Sequence, residues 1–310
     1  MTHLLVTGAD GFVGRWLVRA ARAEHYRVTV GIVPDAAMPD EWQGADNIAV
    51  VRADLRDEAG VARLAGVEAD AVVHLAGVAS GAAARRDPAA AMLVNAHATA
   101  RLASLLAKAN RPKFLLVSTG EVYGAHHAEA IAETAHRAPG SPYAESKAAA
   151  EDAVLVQAAD AGLPVVIARA FPHTGPGQST TFVLPALAQR LLDAKRSGAA
   201  VIRAGNLDAV RDFLDVRDVA QAYLHLVARG AAGTVYNVAS GIGRRLFDCF
   251  TMLAELVGVS VRVEQDPALH RPADIPVLIG DNARLRAATG WAPRISFERT
   301  LRDLVDAQAD

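Results

Sequence analysis

Short apolar stretches alternate with longer helical stretches along the chain as far as Ala170. Several of the short stretches are solidly apolar rather than alternating, which is typical of strands that are buried on both faces of a parallel sheet. The rhythm therefore predicts a parallel sheet that helices cover on both faces. The predicted strands are Leu4–Thr7, Arg27–Val33, Ile48–Arg52, Ala71–Ala76, Phe114–Ser118 and Val165–Arg169, and the predicted helices are Phe12–Glu24, Ala89–Ala109 and Tyr143–Ala161.

The rhythm breaks after Ala170, where a loop rich in proline and glycine, Pro172–Gln178, leads into shorter mixed elements. A helix is predicted near Leu184–Lys195. A further helix and strand, Asp215–Arg229 and Thr234–Ala239, are expected to return to the sheet. The remainder predicts a smaller, discontinuous lobe over the carboxyl ends of the strands, where open α/β sheets bind ligands. The expected division is a doubly wound α/β domain of residues 1–170 and 207–240, and a smaller α/β substrate-binding lobe of residues 171–206 and 241–310.

Three glycines lie between the first strand and the first helix, in the run Gly8-Ala-Asp-Gly11-Phe-Val-Gly14. Glycine permits the tight turn and lets a pyrophosphate approach backbone N–H groups at the helix N-terminus, where the helix dipole favours negative charge. Because a strand precedes this run and a helix follows it, we interpret it as the phosphate-binding loop of a dinucleotide site rather than as a plain turn.

The sequence leaves open whether the dinucleotide is NAD or NADP. Asp35 lies about twenty residues beyond Gly14, near the position from which an acid binds the ribose 2′-hydroxyl of NAD and repels a phosphate there. Pro34 intervenes, however, and Arg15 is placed to face a 2′-phosphate. Either charge is equally well explained as ordinary surface charge.

Tyr143 and Lys147 are four residues apart, so on a helix both side chains lie on one face. A lysine cation favours tyrosinate, and we therefore expect the pKa of Tyr143 to be lowered toward neutrality. Such a pair is often only a solvated helix face, but this one follows Val117-Ser-Thr119-Gly at the end of the fifth strand. That context favours a catalytic site in which Thr119 hydrogen-bonds the substrate oxygen that Tyr143 protonates. Ser118 is expected to point into packing.

Composition narrows the range of partners. The formal net charge is -2, which argues against a nucleic-acid surface or a membrane-adsorbing face. Cys249 is the single cysteine, so an internal disulfide and a cysteine zinc site are excluded. No stretch approaches the ~20 apolar residues of a membrane span, and no basic region precedes the first strand as in a signal peptide. We expect a cytoplasmic enzyme without a metal, in which His74 is a satisfied core residue.

With His74-Leu-Ala-Gly77 and Asn95, the two motifs resemble the extended short-chain dehydrogenases/reductases that modify nucleotide sugars, the NAD-dependent epimerase/dehydratase family. The run Arg211–Asp218 is similar to the family segment whose arginine contacts the sugar-nucleotide diphosphate. Arg271–Pro276 resembles a second such arginine site, and the segment from Asp281 to Pro293 matches the family's closing segment. The run Arg169–Gln178 most resembles the subgroup of GDP-4-keto-6-deoxymannose reductases.

The resemblance implies a Rossmann sheet that binds NADP or NAD, a nucleotide-diphosphate-sugar substrate, and a homodimer formed through a four-helix bundle. The residues expected to bind the cofactor are Gly8, Asp10, Gly11, Phe12, Val13, Gly14, Asp35, Asp54, Leu55, Leu75, Ala76, Gly77, Tyr143, Lys147 and Phe171. The residues expected to bind the substrate are Ser80, Thr119, Glu121, Pro172, Phe182, Val183, Arg211 and Arg271. Asp54 is alternatively the N-cap of a helix over residues 55–65, and the two arginines are alternatively surface salt-bridge partners.

We expect a reductase, in which a sugar C4 ketone takes a hydride from NAD(P)H and a proton from Tyr143. The best candidate reaction converts GDP-4-keto-6-deoxymannose to GDP-rhamnose, although Pro172 stands where the subgroup has an asparagine. A 4-epimerase would use the same residues. A 4,6-dehydratase needs an additional acid and base; Glu121 occupies the position of the base, whereas Gly120 sits where many dehydratases have the acid. An NADP-sensing regulator is a remote alternative, because such relatives typically lack the tyrosine–lysine pair.

Overall fold

The computed structural model describes residues 1–125, 129–266, 269 and 275–309. Its strands are β1 (His3–Thr7), β2 (Arg27–Ile32), β3 (Ile48–Arg52), β4 (Ala71–His74), β5 (Lys113–Thr119), β6 (Val165–Ala170), β7 (His173–Thr174), β8 (Val201–Ala204), β9 (Val210–Asp212), β10 (Leu214–Asp215), β11 (Thr234–Val238), β12 (Gly243–Arg245), β13 (Arg262–Gln265) and β14 (Val277–Leu278). Its α-helices are α1 (Phe12–Ala23), α2 (Glu58–Ala65), α3 (Gly81–Arg86), α4 (Pro88–Met92), α5 (Ala98–Lys108), α6 (Pro142–Ala161), α7 (Val183–Ser197), α8 (Val216–Arg229), α9 (Leu246–Val257), α10 (Ala283–Thr289) and α11 (Phe297–Ala309).

Within the described residues, seven parallel strands form one sheet in the order β11-β6-β5-β4-β1-β2-β3. The strand order reverses between β1 and β4. In doubly wound sheets, ligands bind outside the carboxyl ends of the strands at this reversal. The sheet confirms the predicted fold class, and the strands of the main sheet begin and end within two residues of their predicted bounds.

Helices cover both faces of this sheet. The helices α1 and α8 pack on one face, over a core that includes Val6 and Leu115. The helices α2, α5 and α6 cover the other face, over a core that includes Leu116 and Ile167. Because neighbouring residues such as Leu115 and Leu116 face opposite cores, the central strands contain continuous apolar runs rather than an alternating pattern. No helix in the described ranges has the length and apolar character needed to cross a membrane.

The shorter strands and the helices that pack on them form a second lobe. β9 pairs with β12 and β14, and β8 pairs with β13. The helices α7, α9 and α11 pack around an apolar core that includes Leu191, Leu253 and Leu304. Residues 207–240 contribute β11 to the main sheet and β9 to a small sheet, and the predicted domain boundaries stay a prediction.

The prediction of one helix over Ala89–Ala109 is wrong in one respect, because a π-helical segment, Leu93–His97, separates α4 from α5. Asn95 lies in this segment. Its side chain accepts a hydrogen bond from the Val78 N–H at 2.7 Å and donates to the Val78 carbonyl at 3.1 Å and to the Ser146 hydroxyl at 2.9 Å. Such segments occur frequently at functional sites, and this one joins the loop after β4 to α6.

Candidate active site

The three glycines between β1 and α1 are needed for different reasons. Gly8 has a left-handed φ of +68°, and a Cβ atom on Gly14 would lie 2.4 Å from the Gly8 carbonyl oxygen. Gly11 is the N-cap of α1, and a Cβ atom there would contact only that same oxygen, at 3.2 Å. The first turn of α1 contains no acidic residue. This open helix N-terminus fits a pyrophosphate, which would accept hydrogen bonds from its backbone N–H groups.

Two aromatic residues join the glycine loop to the loop that begins the second lobe. The Phe12 ring stacks on His173, with the ring centroids 6.2 Å apart, and the Trp16 indole donates to the Pro176 carbonyl at 3.1 Å. Val13 packs against the core of the sheet. The predicted cofactor loop therefore lies directly beside the segment that resembles the reductase subgroup.

The two charges weighed for cofactor preference both lie at the surface. Asp35 is exposed in the turn after β2, and the Arg52 guanidinium holds the backbone of this turn by donating to the Ala36 carbonyl at 3.0 Å. Arg15 is exposed on α1, where its Nε donates to the Asp10 carbonyl at 3.1 Å. Among the described residues neither Asp35 nor Arg15 forms an ion pair, so both charges are free to contact a ribose or a phosphate.

Asp54 follows β3 and pairs with a neighbouring arginine rather than capping a helix. The Arg56 guanidinium donates to both Asp54 oxygens, with Nη2 at 2.6 Å, and these hydrogen bonds lower the pKa of the Asp54 carboxyl. The N-cap of α2 is instead Asp57, whose carboxylate accepts from two backbone N–H groups. The alternative that Asp54 caps a helix over 55–65 is therefore wrong. Leu55 is buried in the core.

The segment after β4 supplies the remaining predicted cofactor residues. Leu75 and Ala76 pack against opposite cores of the sheet. A Cβ atom on Gly77 would lie 2.6 Å from the Asn95 side-chain oxygen, so the close approach of the π-helical segment requires glycine here. Ser80 is the N-cap of α3 and accepts a hydrogen bond from a backbone N–H at 3.3 Å.

Thr119, Tyr143 and Lys147 converge at the carboxyl end of β5. Thr119 is the last residue of that strand, and Tyr143 and Lys147 lie in the first two turns of α6. The Thr119 side chain lies beside the Tyr143 phenol, where hydrogen bonding favours the phenolate. The Lys147 ammonium donates to the Val117 carbonyl at 2.9 Å. The structure thus brings together the three residues that the motifs singled out.

The charge states of this cluster differ from the expectation. The pKa of Tyr143 is raised, not lowered, because burial and the Glu121 carboxylate disfavour the phenolate more than the Thr119 hydrogen bond favours it. Burial also lowers the pKa of Lys147 to about 8, against the opposing effect of the Glu151 carboxylate. The expectation of a lowered Tyr143 pKa is therefore wrong for the free protein. The phenol keeps its proton and is able to donate it.

Glu121, Phe171 and Pro172 lie next to this cluster. Glu121 belongs to the 3₁₀ turn after β5, and the Pro172 carbonyl accepts a hydrogen bond from the Leu214 N–H at 3.0 Å. Phe171 is buried, and a Cβ atom on Gly120 would lie 3.0 Å from its ring. A side chain at position 120 would therefore require the Phe171 ring to move.

The other predicted substrate residues belong to the second lobe. Phe182 is the N-cap of α7, and Val183 is the first residue of that helix and packs against the core of the lobe. Arg211 lies on β9, where its guanidinium donates to the Val210 carbonyl at 2.9 Å. Arg271 lies outside the described residues. The predicted substrate set is thus divided between the edge of the main sheet and the second lobe.

Comparison with known proteins identifies the family. Residues 5–304 match the family described as GDP-mannose 4,6 dehydratase. GDP-6-deoxy-D-mannose reductase of Pseudomonas aeruginosa is 37% identical over 307 residues, which cover 98% of this chain and 96% of that protein. The chain belongs to the extended short-chain dehydrogenase/reductase family. It is thus an NAD(P)-dependent enzyme of the nucleotide-sugar-modifying group, as the motifs predicted.

Solved structures of extended short-chain dehydrogenases/reductases are similar over the whole chain. The structure of RMD from Pseudomonas aeruginosa, complexed with NADPH, has a TM-score of 0.86 and 35% identity, and covers 99% of both chains. UDP-glucose 4-epimerase of Thermus thermophilus, in complex with NAD, has a TM-score of 0.88 and 29% identity, again with 99% of both chains covered. These structures contain different dinucleotides, so the likeness supports NAD(P) without choosing between them.

Glu151 is a buried charge that sequence reasoning missed in this short-chain dehydrogenase/reductase. It lies one helical turn after Lys147 and accepts hydrogen bonds from Ser118 and Arg169. The sequence does contain a signal for Glu151, because an acidic residue four positions after Lys147 lies on the same face of α6. Ser118 is buried as predicted, but its hydroxyl has this specific partner.

Proposed function

We propose that the enzyme reduces the C4 ketone of a nucleotide-linked 4-keto-6-deoxy sugar, with GDP-4-keto-6-deoxymannose as substrate and GDP-rhamnose as product. The observation on which this rests is the convergence of Thr119, at the carboxyl end of β5, with Tyr143 and Lys147 in the first two turns of α6. Bound NAD(P)H supplies the hydride. The ketone oxygen then needs a proton, and Tyr143 is the donor.

Thr119 and Lys147 have separate tasks in this proposal. The Thr119 hydroxyl hydrogen-bonds the ketone oxygen and stabilises the negative charge that develops there. The Lys147 ammonium binds the nicotinamide ribose hydroxyls and favours proton release from Tyr143 once the oxygen becomes basic. Arg211, on β9, holds the diphosphate, because a guanidinium fork binds phosphate oxygens in pairs.

The similarity to a GDP-6-deoxy-D-mannose reductase over nearly the whole chain supports a GDP-linked 6-deoxy sugar. A 4-epimerase of the same family is the alternative that uses the same residues. A 4,6-dehydratase that requires an acid at position 120 is disfavoured, because this chain has a glycine there. Glu121 remains the residue that would serve a dehydratase as base.

Mixing the purified protein with GDP-4-keto-6-deoxymannose and either NADPH or NADH tests the proposal. We expect stoichiometric oxidation of the dinucleotide and a single product with the stereochemistry of GDP-rhamnose, determined by NMR. Failure to oxidise either dinucleotide with this sugar would overturn the proposed reaction. Glu121→Gln serves as the discriminating variant, because a reductase should retain most of its turnover, whereas a dehydratase would lose the base that removes the C5 proton.

We also propose a homodimer that works in the cytoplasm and forms through a four-helix bundle of α5 and α6 from each subunit. These two helices pack side by side and are rich in small residues, which allow close approach of partner helices. Three large apolar side chains on α6 and the adjoining π-helical segment are exposed. These side chains are Leu93, Leu155 and Val156.

A further inference from the structure

Helix α6 contains a buried carboxylate that the proposed reaction does not use. Glu151 is 1% exposed. Its oxygens accept hydrogen bonds from Ser118 Oγ at 2.5 Å, from Arg169 Nε and Nη2 at 3.0 and 2.7 Å, and from Arg137 Nη1 at 3.1 Å. Three segments of the chain therefore clamp this one side chain. Such complete pairing is needed because a buried charge without partners is strongly destabilising.

The hydrogen bonds of Glu151 adjoin the contacts of the catalytic cluster along β5. Val117, Ser118 and Thr119 are consecutive on β5, and each contacts a different residue of α6. The Val117 carbonyl accepts from Lys147, the Ser118 hydroxyl donates to Glu151, and the Thr119 side chain lies beside Tyr143. These contacts fix the position of α6 along β5. A shift of the helix at Glu151 would move both catalytic side chains.

The Glu151 carboxylate also acts on Lys147 through charge. It lies one helical turn away and raises the pKa of the ammonium, whereas burial lowers that pKa to about 8. Among the described residues, the titratable or charged groups that face this cluster from neighbouring elements are His74 on β4, Glu121 in the 3₁₀ turn, Arg137 in the loop before α6, Arg169 on β6, Tyr123 beside Arg169, and Tyr223 on α8. His74 is uncharged near neutral pH because burial lowers its pKa to about 3.

We propose that Glu151 is a positioning residue that holds α6 in register with β5 and keeps the Lys147 side chain charged where it meets the cofactor. The inference rests on the proposed function in assigning Lys147 to the nicotinamide ribose. It does not depend on which sugar is reduced. Ser118 and Arg169 orient the carboxylate, and Arg137 balances part of its charge.

The test measures NAD(P)H binding by protein fluorescence between neutral and alkaline pH, with no sugar present. In Glu151→Gln we expect the alkaline midpoint of binding to fall by about one pH unit, because Lys147 loses its neighbouring negative charge. Asp152→Asn is the matched control, since Asp152 also accepts from Arg137, at 2.6 Å, but is mostly exposed. An unchanged midpoint in Glu151→Gln would overturn the proposal.

We expect a second variant to shift the midpoint in the opposite direction. It therefore distinguishes an effect of charge from an effect of damage to the fold. Arg137→Gln removes a cation that offsets Glu151, so the midpoint should rise by a few tenths of a pH unit. A fall or no change in this variant contradicts the proposal even if Glu151→Gln fails to fold. A wild-type protein that binds NAD(P)H normally but reduces no 4-keto sugar would contradict the proposed function alone.

Discussion

Burial shifts the pKa values of the two catalytic side chains at the centre of the site in opposite directions, because it disfavours the charged form of each. It disfavours the phenolate of Tyr143, so the phenol stays protonated, and it disfavours the ammonium of Lys147, so the pKa of that side chain falls to about 8. At neutral pH the free protein therefore has a neutral proton donor beside a cation. This is the arrangement that reduction of a ketone requires, because negative charge develops on the oxygen between them.

Tyr143→Phe keeps the ring and its packing but removes the proton donor. We expect turnover to fall by about 10²–10⁴-fold, the usual share of general acid catalysis, with little change in the KM of the sugar. Steady-state kinetics with the 4-keto sugar measure both quantities. Tyr236→Phe is the control, because within the described part of the chain its hydroxyl accepts a single hydrogen bond, from the backbone N–H of Ala231. Near-full turnover in Tyr143→Phe would mean that another group delivers the proton.

His74 makes the stability of the fold depend on pH. Its buried ring is hydrogen-bonded to the hydroxyls of Thr7 and Thr99, at 2.8 and 2.9 Å, and burial lowers its pKa from 6.5 to about 3. This confirms the prediction of a satisfied core histidine. The unfolded chain binds a proton here below pH 6.5, whereas the folded chain does not. The stability contributed by the neutral ring is therefore complete above pH 6.5 and is lost as the pH falls toward 3.

We expect this single residue to reduce the free energy of unfolding by about 1.4 kcal/mol for each pH unit below 6.5. Urea unfolding at several pH values between neutrality and pH 5 measures the slope. His74→Asn should flatten it, whereas His25→Asn, at an exposed residue with a φ of +62°, should not. Equal slopes in wild type and His74→Asn would show that other groups govern the acid response.

At the level of elements, local pattern was sufficient for the strands and insufficient for one helix. Most strands of the main sheet are buried on both faces, so an apolar run in the sequence indicates each of them, whereas the edge strand β3 is largely exposed. The break in the helix over Ala89–Ala109 contains Asn95, whose partners Val78 and Ser146 lie far away along the chain. The helical periodicity of the sequence does not indicate such long-range contacts. The same holds for Glu151, which is clamped from β5, β6 and a loop.

The glycine loop allows binding and folding to be separated by two matched variants. In Gly11→Val the new side chain leaves the helix N-terminus toward the expected pyrophosphate, so NAD(P)H binding should be nearly abolished while the fold persists. In Gly14→Val the Cβ atom would lie 2.4 Å from a backbone oxygen, so the protein should lose about 1–3 kcal/mol of stability or more. Calorimetry and urea unfolding measure the two effects. Unchanged affinity in Gly11→Val would remove the phosphate-loop assignment.

At the scale of the whole molecule, the exposed apolar side chains of α6 bear on assembly. Val156→Glu places a charge at the centre of the proposed bundle, and we expect the dimer to dissociate at micromolar concentration, with the mass measured by light scattering. Ile242→Glu is the control, because Val156 and Ile242 are 52% and 53% exposed but Ile242 lies in the second lobe. A wild-type protein with a monomer mass would show that α5 and α6 only cover the sheet.

The discontinuous second lobe has a consequence for synthesis on the ribosome. Its core needs α7, which ends at Ser197, and α11, which begins at Phe297. At ~5–20 residues per second, α11 is translated about 5–20 s after α7. During that interval Leu187 and Leu191 lack the helix that finally packs against them, although the strands β1–β6 have already left the ribosome. We therefore expect these apolar side chains of the nascent chain to stay partly exposed until α11 is translated, and chaperones that bind exposed apolar helices would protect them during that interval.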